Sequence, residues 1–152
     1  MCTSFMGELM TATHNFGTAP TRGTSAADTF KGALYLASAT IDAATTVYSS
    51  TGEVTGTGYS AGGVTVTNAN PPTATNASST AGVAYWTPSA SLTYTSVTLT
   101  TAFDAVLIYN STQSDKAVSV HTFGSQTITA GTFTLTMPAS TTTTALLRLA
   151  TT

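Results

Sequence analysis

The stretch F-D-A-V-L-I-Y, residues 103–109, decides the fold of this chain. It contains the longest run of bulky apolar residues in the sequence, and residues 105–109 have no polar break, which predicts a strand buried on both faces. The turn-forming sequence N-S-T-Q-S-D follows at residues 110–115, and a second strand is predicted over residues 116–123. Because turns this short join antiparallel neighbours, the two strands should form a hairpin.

Thr-rich segments on both sides of this hairpin predict further strands that can pack on it. They alternate apolar with polar residues and are separated by clusters of Gly, Pro, Asn and Ser. The additional strands are predicted at residues 28–36, 46–48, 63–68, 82–86, 92–100, 126–137 and 145–150. A chain of eight or nine such short strands indicates an all-β fold, an antiparallel β-sandwich or jelly roll of about eight strands.

Three places in these strands carry signs of irregular backbone. The alternation of residues 92–100 changes face near Ser96, which predicts a β-bulge there. Ala-Gly at residues 130–131 shifts the register of the strand at 126–137 in the same way. The five glycines within residues 51–63 supply positions for bends with positive φ. They do not form a phosphate loop, because the Lys-Ser/Thr ending and the strand-to-helix context are missing.

The N-terminal segment differs from the rest of the chain. Its apolar residues recur at helical spacing: Phe5, Met6, Leu9 and Met10. Together with Thr3 or Ser4 as the N-cap, they predict a short amphipathic helix over residues 4–11. Residues 16–27 contain Gly, Pro and many small residues and are predicted to be a linker.

This pattern divides the chain into an N-terminal arm and linker, residues 1–27, and a single β-sandwich domain, residues 28–152. Two interpretations of the arm remain open. The helix either covers one end of its own β domain or docks on a neighbouring subunit. In the second case the contact residues are the apolar side chains of the arm: Phe5, Met6, Leu9, Met10 and Phe16.

The composition restricts the classes of partner. Charged residues make up 7% of the chain, and the formal net charge is −2, whereas about 25% charged residues is typical. Thr supplies about a quarter of the residues, so the polar surface is built from hydroxyls. Such a surface suits a subunit held in an assembly better than a free monomer, which normally needs charge for solubility. The four cationic residues are scattered, so nucleic-acid binding is not expected.

The sequence also argues against a membrane span or a disulfide. No apolar stretch approaches the roughly 20 residues that cross a bilayer. The N-terminus lacks the basic and apolar regions of a signal peptide. Cys2 is the single cysteine, so an intrachain disulfide is impossible.

The reactive side chains do not form a recognisable catalytic or metal-binding motif. His14 and His121 lack the paired spacing of metal ligands, and no nucleophile elbow is present. We therefore expect no metal, no cofactor and no enzymatic activity. His121 is predicted to be a half-exposed cross-strand residue. Trp86 is predicted to be a core residue, with a ligand-stacking platform as the alternative.

Paired carboxylates of the glycosidase type remain an open alternative, since distant residues can meet in space. The candidates are Asp42, Glu53, Asp104 and Asp115. We interpret Asp104 as a turn cap and Asp115 as the partner of Lys116 in a solvated ion pair of little energetic weight.

Several segments of the chain resemble a group of small tailed-bacteriophage virion structural proteins. Each segment has low specificity alone, but their order and spacing together support the grouping. The segments are M-C-T-S-F at residues 1–5, E-L at 8–9, T-H-N-F at 13–16, D-T-F-K at 28–31, A-L-Y at 33–35, T-G-E-V at 51–54, G-T-G-Y at 56–59, A-G-G at 61–63 and L-I-Y-N-S at 107–111.

The resemblance implies a component of the virion. We favour a capsid decoration, or cement, protein on the capsid exterior, whose partners are the major capsid protein and copies of itself. A tail or fibre component that binds host glycans is the alternative, and it predicts an exposed aromatic patch such as Trp86 with Tyr85. A small hydrolase would instead bring carboxylates together in a cleft.

Overall fold

The computed structural model of the chain describes residues 1–10, 13–16, 27–67, 72–75 and 82–150. Its described part is all-β with one short helix, which confirms the predicted fold class, with seven strands in place of about eight. The elements are α1 (Thr3–Met10), β1 (Phe30–Leu36), β2 (Val64–Thr65), β3 (Thr73–Ala74), β4 (Val83–Trp86), β5 (Leu92–Asn110), β6 (Lys116–Leu135) and β7 (Leu147–Ala150).

Two antiparallel sheets carry these strands. One has the order β2-β1-β5-β6 and the other the order β3-β4-β7. The stretch at residues 103–109 lies in β5, between β1 and β6, with Ala33 opposite Leu107 and Leu107 opposite Val120. Apart from the half-buried Asp104, every residue of this stretch is buried. The prediction of a strand buried on both faces is therefore confirmed.

The hairpin is longer than predicted. The segments at 92–100 and 103–109 form one strand of 19 residues, and those at 116–123 and 126–137 form most of one strand of 20 residues. The predicted β-bulge near Ser96 is confirmed, because the register shifts between Tyr94 and Val97 and Ser96 has a φ of 53°. The shift predicted at residues 130–131 is also present, with Ala130 at a φ of 48°.

This hairpin bends back over the sheet that it belongs to. Gly32 of β1 pairs with Ile108 of β5, and a Cβ on Gly32 would collide with the side chain of Leu92, which belongs to the same strand as Ile108. Leu92 and Ile108 are sixteen residues apart in β5 and would be separated by about 50 Å if the strand were straight. Both residues nevertheless lie beside Gly32. The first and second halves of β5 therefore face each other. The register shifts between Leu99 and Ala105 mark where the strand bends.

The described part of residues 1–27 packs into the same core as the β domain. Phe5 and Phe16 are 2% and 8% exposed and belong to the core cluster that contains Phe30 and Trp86. The backbone N–H of Cys2 donates to Val118 at 2.9 Å, which ties the N-terminus to β6. The helix thus covers its own domain. The proposed boundary between residues 27 and 28 stays a prediction, and residues 17–26 of the predicted linker lie outside the described residues.

The start of α1 differs from the predicted N-cap. The helix begins at Thr3, and the N–H of Thr3 donates to the carbonyl of Ala43 at 2.8 Å. A distant backbone group therefore satisfies this donor in place of a local side chain. The hydroxyl of Ser4 is buried without a hydrogen-bond partner among the described residues.

Two structural interpretations of carboxylates were wrong. Asp104 lies inside β5, because the strand continues through it, so it does not cap a turn. Lys116 pairs with Glu8, their Nζ and Oε1 atoms 2.8 Å apart, because α1 packs beside the start of β6. Asp115 has a φ of 57° and belongs to the turn between β5 and β6. The strand expected at residues 46–48 is reduced to one bridge between Val47 and Lys116.

Candidate interaction groove

An apolar groove lies between the N-terminal segment and the sheet formed by β3, β4 and β7. Three of the five predicted contact residues, Phe5, Leu9 and Phe16, line it together with residues of β4 and β7. We call this feature the apolar groove. Helical spacing explains the first two, since positions 5 and 9 lie on one face of α1. Met6 is exposed on the helix, and the side chain of Met10 is not among those described.

Stacked aromatic rings hold the floor of the apolar groove in place. The ring of Phe16 stacks on Phe30 with centroids 4.4 Å apart and meets Trp86 edge-on at 4.8 Å. Phe5 lies edge-on to Phe16 at 6.0 Å. Such contacts add about 0.5–1.5 kcal/mol per pair beyond the area that they bury. The prediction of Trp86 as a core residue is confirmed, since it is only 3% exposed.

Among the predicted contact residues, Met6 reaches the surface, but it is not one of the residues that line the apolar groove. Phe5 and Phe16 are buried in the chain's own core, so in this conformation they offer a partner no free surface. Met1, Met6 and Leu149 are instead 38%, 48% and 41% exposed, and Met1 and Leu149 line the groove. The sequence pattern gave no reason to single out Met1 or Leu149, because opposite ends of the chain supply them.

One cation borders the apolar groove. Arg148 of β7 is exposed, and its guanidinium donates a hydrogen bond to the carbonyl of Thr143. Within the described residues it has no ion pair with a carboxylate. The groove therefore combines apolar walls with the positive charge of Arg148.

A buried polar network fastens the N-terminal segment that forms one wall of the groove. His14 Nε2 lies 2.8 Å from Glu8 Oε2, and His14 Nδ1 lies 3.0 Å from Asn110 Nδ2. Asn110 also donates to Asp28 Oδ2 at 2.7 Å. Lys116 completes the set through its ion pair with Glu8. We call these five residues the N-terminal latch, since they join α1 to β5 and β6.

The hydrogen bonds fix the tautomer of His14. The Oδ1 atom of Asn110 accepts from the backbone N–H groups of Thr112 and Gln113, at 3.1 and 3.2 Å, so its Nδ2 atom faces His14 and Asp28. Because an amide nitrogen only donates, Nδ1 of His14 is the acceptor and Nε2 carries the hydrogen that Glu8 accepts. The side chain of His14 is fully buried. The network positions the arm and leaves no reactive nitrogen open to a ligand.

The latch also changes the acidity of Glu8. Burial alone would raise the pKa of this carboxyl, but the hydrogen bonds from Lys116 and His14 outweigh it, so the pKa lies below its ordinary value. The charged form of Glu8 is thus the one that the folded chain favours.

A second buried carboxylate, Glu53, organises the glycine-rich loop. It is 6% exposed and accepts hydrogen bonds from the hydroxyls of Tyr48 and Tyr59 at 2.6 and 2.7 Å and from the N–H of Gly62 at 2.7 Å. Burial, reinforced by the hydrogen bonds to this carboxylate, raises the pKa values of Tyr48 and Tyr59. We call Glu53 and these three donors the Glu53 cluster.

The Glu53 cluster is built into the core. Tyr48 stacks on Tyr109 of β5 with ring centroids 4.6 Å apart. The expected positive-φ positions of this loop are confirmed at four of its five glycines, including Gly62 and Gly63. A Cβ on Gly63 would collide with the carbonyl of Gly32, so glycine is required for the loop to approach β1.

The remaining candidates for chemistry have structural surroundings. Both oxygens of Glu53 are occupied by donors from the chain, and Asp42 is exposed and accepts from the N–H of Ala44 at 2.7 Å. His121 is half-buried, as predicted, and lies 2.8 Å from the hydroxyl of Ser119. Burial lowers the pKa of His121 to about 4, so the ring is neutral at neutral pH.

Three pockets among the described residues are small. The apolar groove has about 80 Å³ of free space, and two further pockets have about 160 and 140 Å³, whereas small-molecule sites usually have about 300–1,000 Å³. In the described part of the chain no three His, Cys, Asp or Glu side chains stand together as metal ligands would. The same residues contain no helix long and apolar enough to cross a membrane.

Comparisons with known proteins add no family to this description. No protein-family model matches the chain, and no similar protein was found among curated sequences or solved structures.

Proposed function

We propose that this chain is a bacteriophage virion structural protein, most specifically a capsid decoration protein that binds the exterior of the assembled head through the apolar groove. Its partners in this proposal are the major capsid protein and further copies of itself. The observation that carries the proposal is the apolar groove with the exposed Met1 and Leu149, on a chain in which only 7% of residues are charged. The resemblance of its segments to small virion proteins supports the same class.

The physical role would be stabilisation of the shell by mass action. A protein that binds the assembled lattice, but not the separate capsid subunits, lowers the free energy of the assembled state according to its concentration and affinity. Exposed apolar side chains beside a preformed groove can supply the anchoring contacts. A β domain that is already folded around hydrogen-bonded buried carboxylates has fewer groups to order on docking than a segment that folds on binding.

The glycan-binding alternative receives less support from the geometry. It requires an exposed aromatic platform, but Trp86 is buried against Phe16 and Tyr85 is half-buried in the wall of the groove. The hydrolase alternative requires two carboxylates free to act together, whereas both oxygens of Glu53 are occupied. A decoration protein needs neither feature.

The proposal can be tested with isolated phage heads stripped of this protein. Purified chain is added, and co-sedimentation and the temperature at which the heads release DNA are measured. We expect binding and a higher release temperature. Cryo-EM of intact virions should place the chain across the capsid lattice with α1 facing a neighbour. Density confined to the tail, or no binding to stripped heads, would contradict the proposal.

A point variant is a better probe of the surface than truncation. Removing residues 1–27 would also remove Phe5 and Phe16 from the core, so loss of binding would be uninterpretable. Leu149→Glu places a charge on an exposed apolar residue that lines the apolar groove and should weaken binding about tenfold, the effect of losing one anchoring side chain. Thr40→Glu adds the same charge at an exposed loop residue and should bind like the wild type.

A further inference from the structure

We propose that the open edge of β7 takes an extended segment of a partner protein as an additional strand, with an Asp or Glu of that segment paired to Arg148. This inference rests on the proposed function and specifies how the apolar groove would engage its partner. It concerns the strand Leu147–Ala150, which borders the groove.

The first observation is that, among the described residues, one edge of β7 has no backbone partner. In the described part of the chain, β7 stands at the end of the order β3-β4-β7 and pairs only with β4, from Val83 opposite Ala150 to Trp86 opposite Leu147. No backbone hydrogen bond from another described segment reaches its other side. The strand contains no proline and no register shift. Where they occur, both of these features protect an edge strand from further pairing.

The outer edge of β6 gives the contrasting case. The chain covers its beginning itself, through the carbonyl of Thr46, which accepts from Ala117, and through the N–H of Cys2, which donates to Val118. Further along, the register of β6 shifts repeatedly against β5, and bulges turn an edge away from further pairing. β7 is regular and uncovered in the described part of the chain, so it is the better template for an added strand.

The second observation is the continuity of this edge with the apolar groove. Four residues of strand span only about 13 Å, so main-chain pairing alone would be weak. The groove lies beside the same strand and adds the exposed side chains of Met1 and Leu149, above the buried rings of Phe5 and Phe16. Recognition by strand addition typically combines main-chain hydrogen bonds with pockets for alternate side chains.

The third observation decides the chemistry of the occupant. Arg148 is exposed on β7 and has no carboxylate partner among the described residues. Antiparallel pairing with β7 of a second copy would bring two Arg148 side chains close together, and like charges opposite each other destabilise a strand pair. An extended apolar segment of a different protein, carrying one carboxylate, would place apolar side chains in the groove and form an ion pair with Arg148.

The test uses the full chain and stripped phage heads, and measures binding together with backbone hydrogen exchange. The variants are Arg148→Gln, which removes the charge, and Thr40→Glu, which lowers the net charge by the same amount at an exposed loop. We expect Arg148→Gln to bind heads about tenfold more weakly, the scale of a lost charged hydrogen bond, and Thr40→Glu to bind like the wild type. The outward-facing amides of β7 should exchange quickly in the free chain and slowly on the head.

The outcomes separate this inference from the proposed function. If the wild type does not bind heads, the proposed function fails and the inference fails with it. If the wild type binds while the amides of β7 stay unprotected, docking occurs without strand addition, and only the inference is overturned. Equal binding of Arg148→Gln and the wild type would overturn it as well. Unfolding temperatures equal to that of the wild type would show that both variants are folded.

Discussion

The Glu53 cluster and the N-terminal latch both bury a carboxylate, but they connect the chain on different scales. The hydrogen bonds of Glu53 reach residues five, six and nine positions away. In the latch, Asn110 lies 82 residues from Asp28 and 96 from His14, and Lys116 lies 108 residues from Glu8. The first arrangement closes one loop, whereas the second fastens the start of the chain to its central hairpin.

This difference implies different consequences when each is broken. The Glu53 cluster supports β1 and β5 directly, because Tyr59 accepts a hydrogen bond from the N–H of Leu34 at 3.0 Å and Tyr109 donates to the carbonyl of Gly62 at 2.8 Å. Its loss should lower the free energy of unfolding of the whole domain. The latch holds a peripheral segment, so its loss should first release that segment.

The largest effect is expected for Glu53→Ala. The substitution leaves the hydroxyls of Tyr48 and Tyr59 and the N–H of Gly62 without their acceptor inside the protein. Each unsatisfied buried donor costs about 1–3 kcal/mol, so we expect the free energy of unfolding to fall by about 3–5 kcal/mol. Urea denaturation followed by tyrosine fluorescence measures this change.

Glu53→Gln is the matched control for that substitution. Its side-chain carbonyl can still accept from Tyr59 and Gly62, while the amide donates to Tyr48, so we expect a loss of about 1–2 kcal/mol. If Glu53→Ala unfolds at the same urea concentration as the wild type, the cluster does not support the domain as described.

A smaller and more local effect is expected for Asn110→Ala. This side chain is completely buried and joins Asp28 and His14 to the turn after β5. We expect the free energy of unfolding to fall by about 2–3 kcal/mol and the amides of α1 to exchange faster than those of β5. Gln113→Ala removes a single hydrogen bond to Asp28 and serves as the milder control. Uniformly faster exchange across α1 and β5 would show that the latch is not a separate unit.

The pH dependence of stability is a third property that should distinguish the N-terminal latch from the Glu53 cluster. The pKa of Glu8 in the folded chain lies below its ordinary value of 4.5. Its contribution to stability is therefore complete above 4.5 and disappears as the pH falls through the lowered pKa. Measured by hydrogen exchange between neutral pH and about pH 3, the attachment of α1 should weaken with acid in the wild type. It should vary less in Glu8→Gln, and an identical acid response of both proteins would contradict this role.

The contrast between the Glu53 cluster and the N-terminal latch also explains how far the sequence alone could predict the structure. The strand at residues 103–109, the bulge near Ser96 and the positive-φ glycines were readable because alternation and glycine act locally. The fusion of four predicted strands into β5 and β6 was not, because polar and glycine residues that look like breaks instead form bulges through which an extended chain bends. Apart from the contact between Glu8 and His14, which are six residues apart, the latch depends on pairs separated by 82–108 residues, for which no local pattern exists.

The apolar groove shows the same limit. Helical spacing correctly marked Phe5 and Leu9 as one apolar face, but a spacing rule says nothing about what that face packs against. The ring of Phe16, the opposite wall from β7 and the exposed Met1 and Leu149 come together only when both ends of the chain are folded. An edge strand cannot be identified before the strand order of its sheet is known. The sequence therefore offered no reason to expect Arg148 on an edge strand beside the groove.

The smallest expected effect uses Cys2 as a reporter of the latch. The thiol is completely buried, and burial raises its pKa, so both access and thiolate formation limit its reaction with a labelling reagent at neutral pH. Opening of the N-terminal segment exposes it, because the N–H of Cys2 anchors that segment to Val118. We expect slow labelling in the wild type and little change in Glu53→Gln. Labelling should be at least about tenfold faster in Asn110→Ala, since each increment of about 1.4 kcal/mol in its expected loss of about 2–3 kcal/mol changes an opening equilibrium tenfold. Equal acceleration in both variants would mean that Cys2 becomes accessible only by global unfolding, and the N-terminal latch would then not be an independent fastening of the arm.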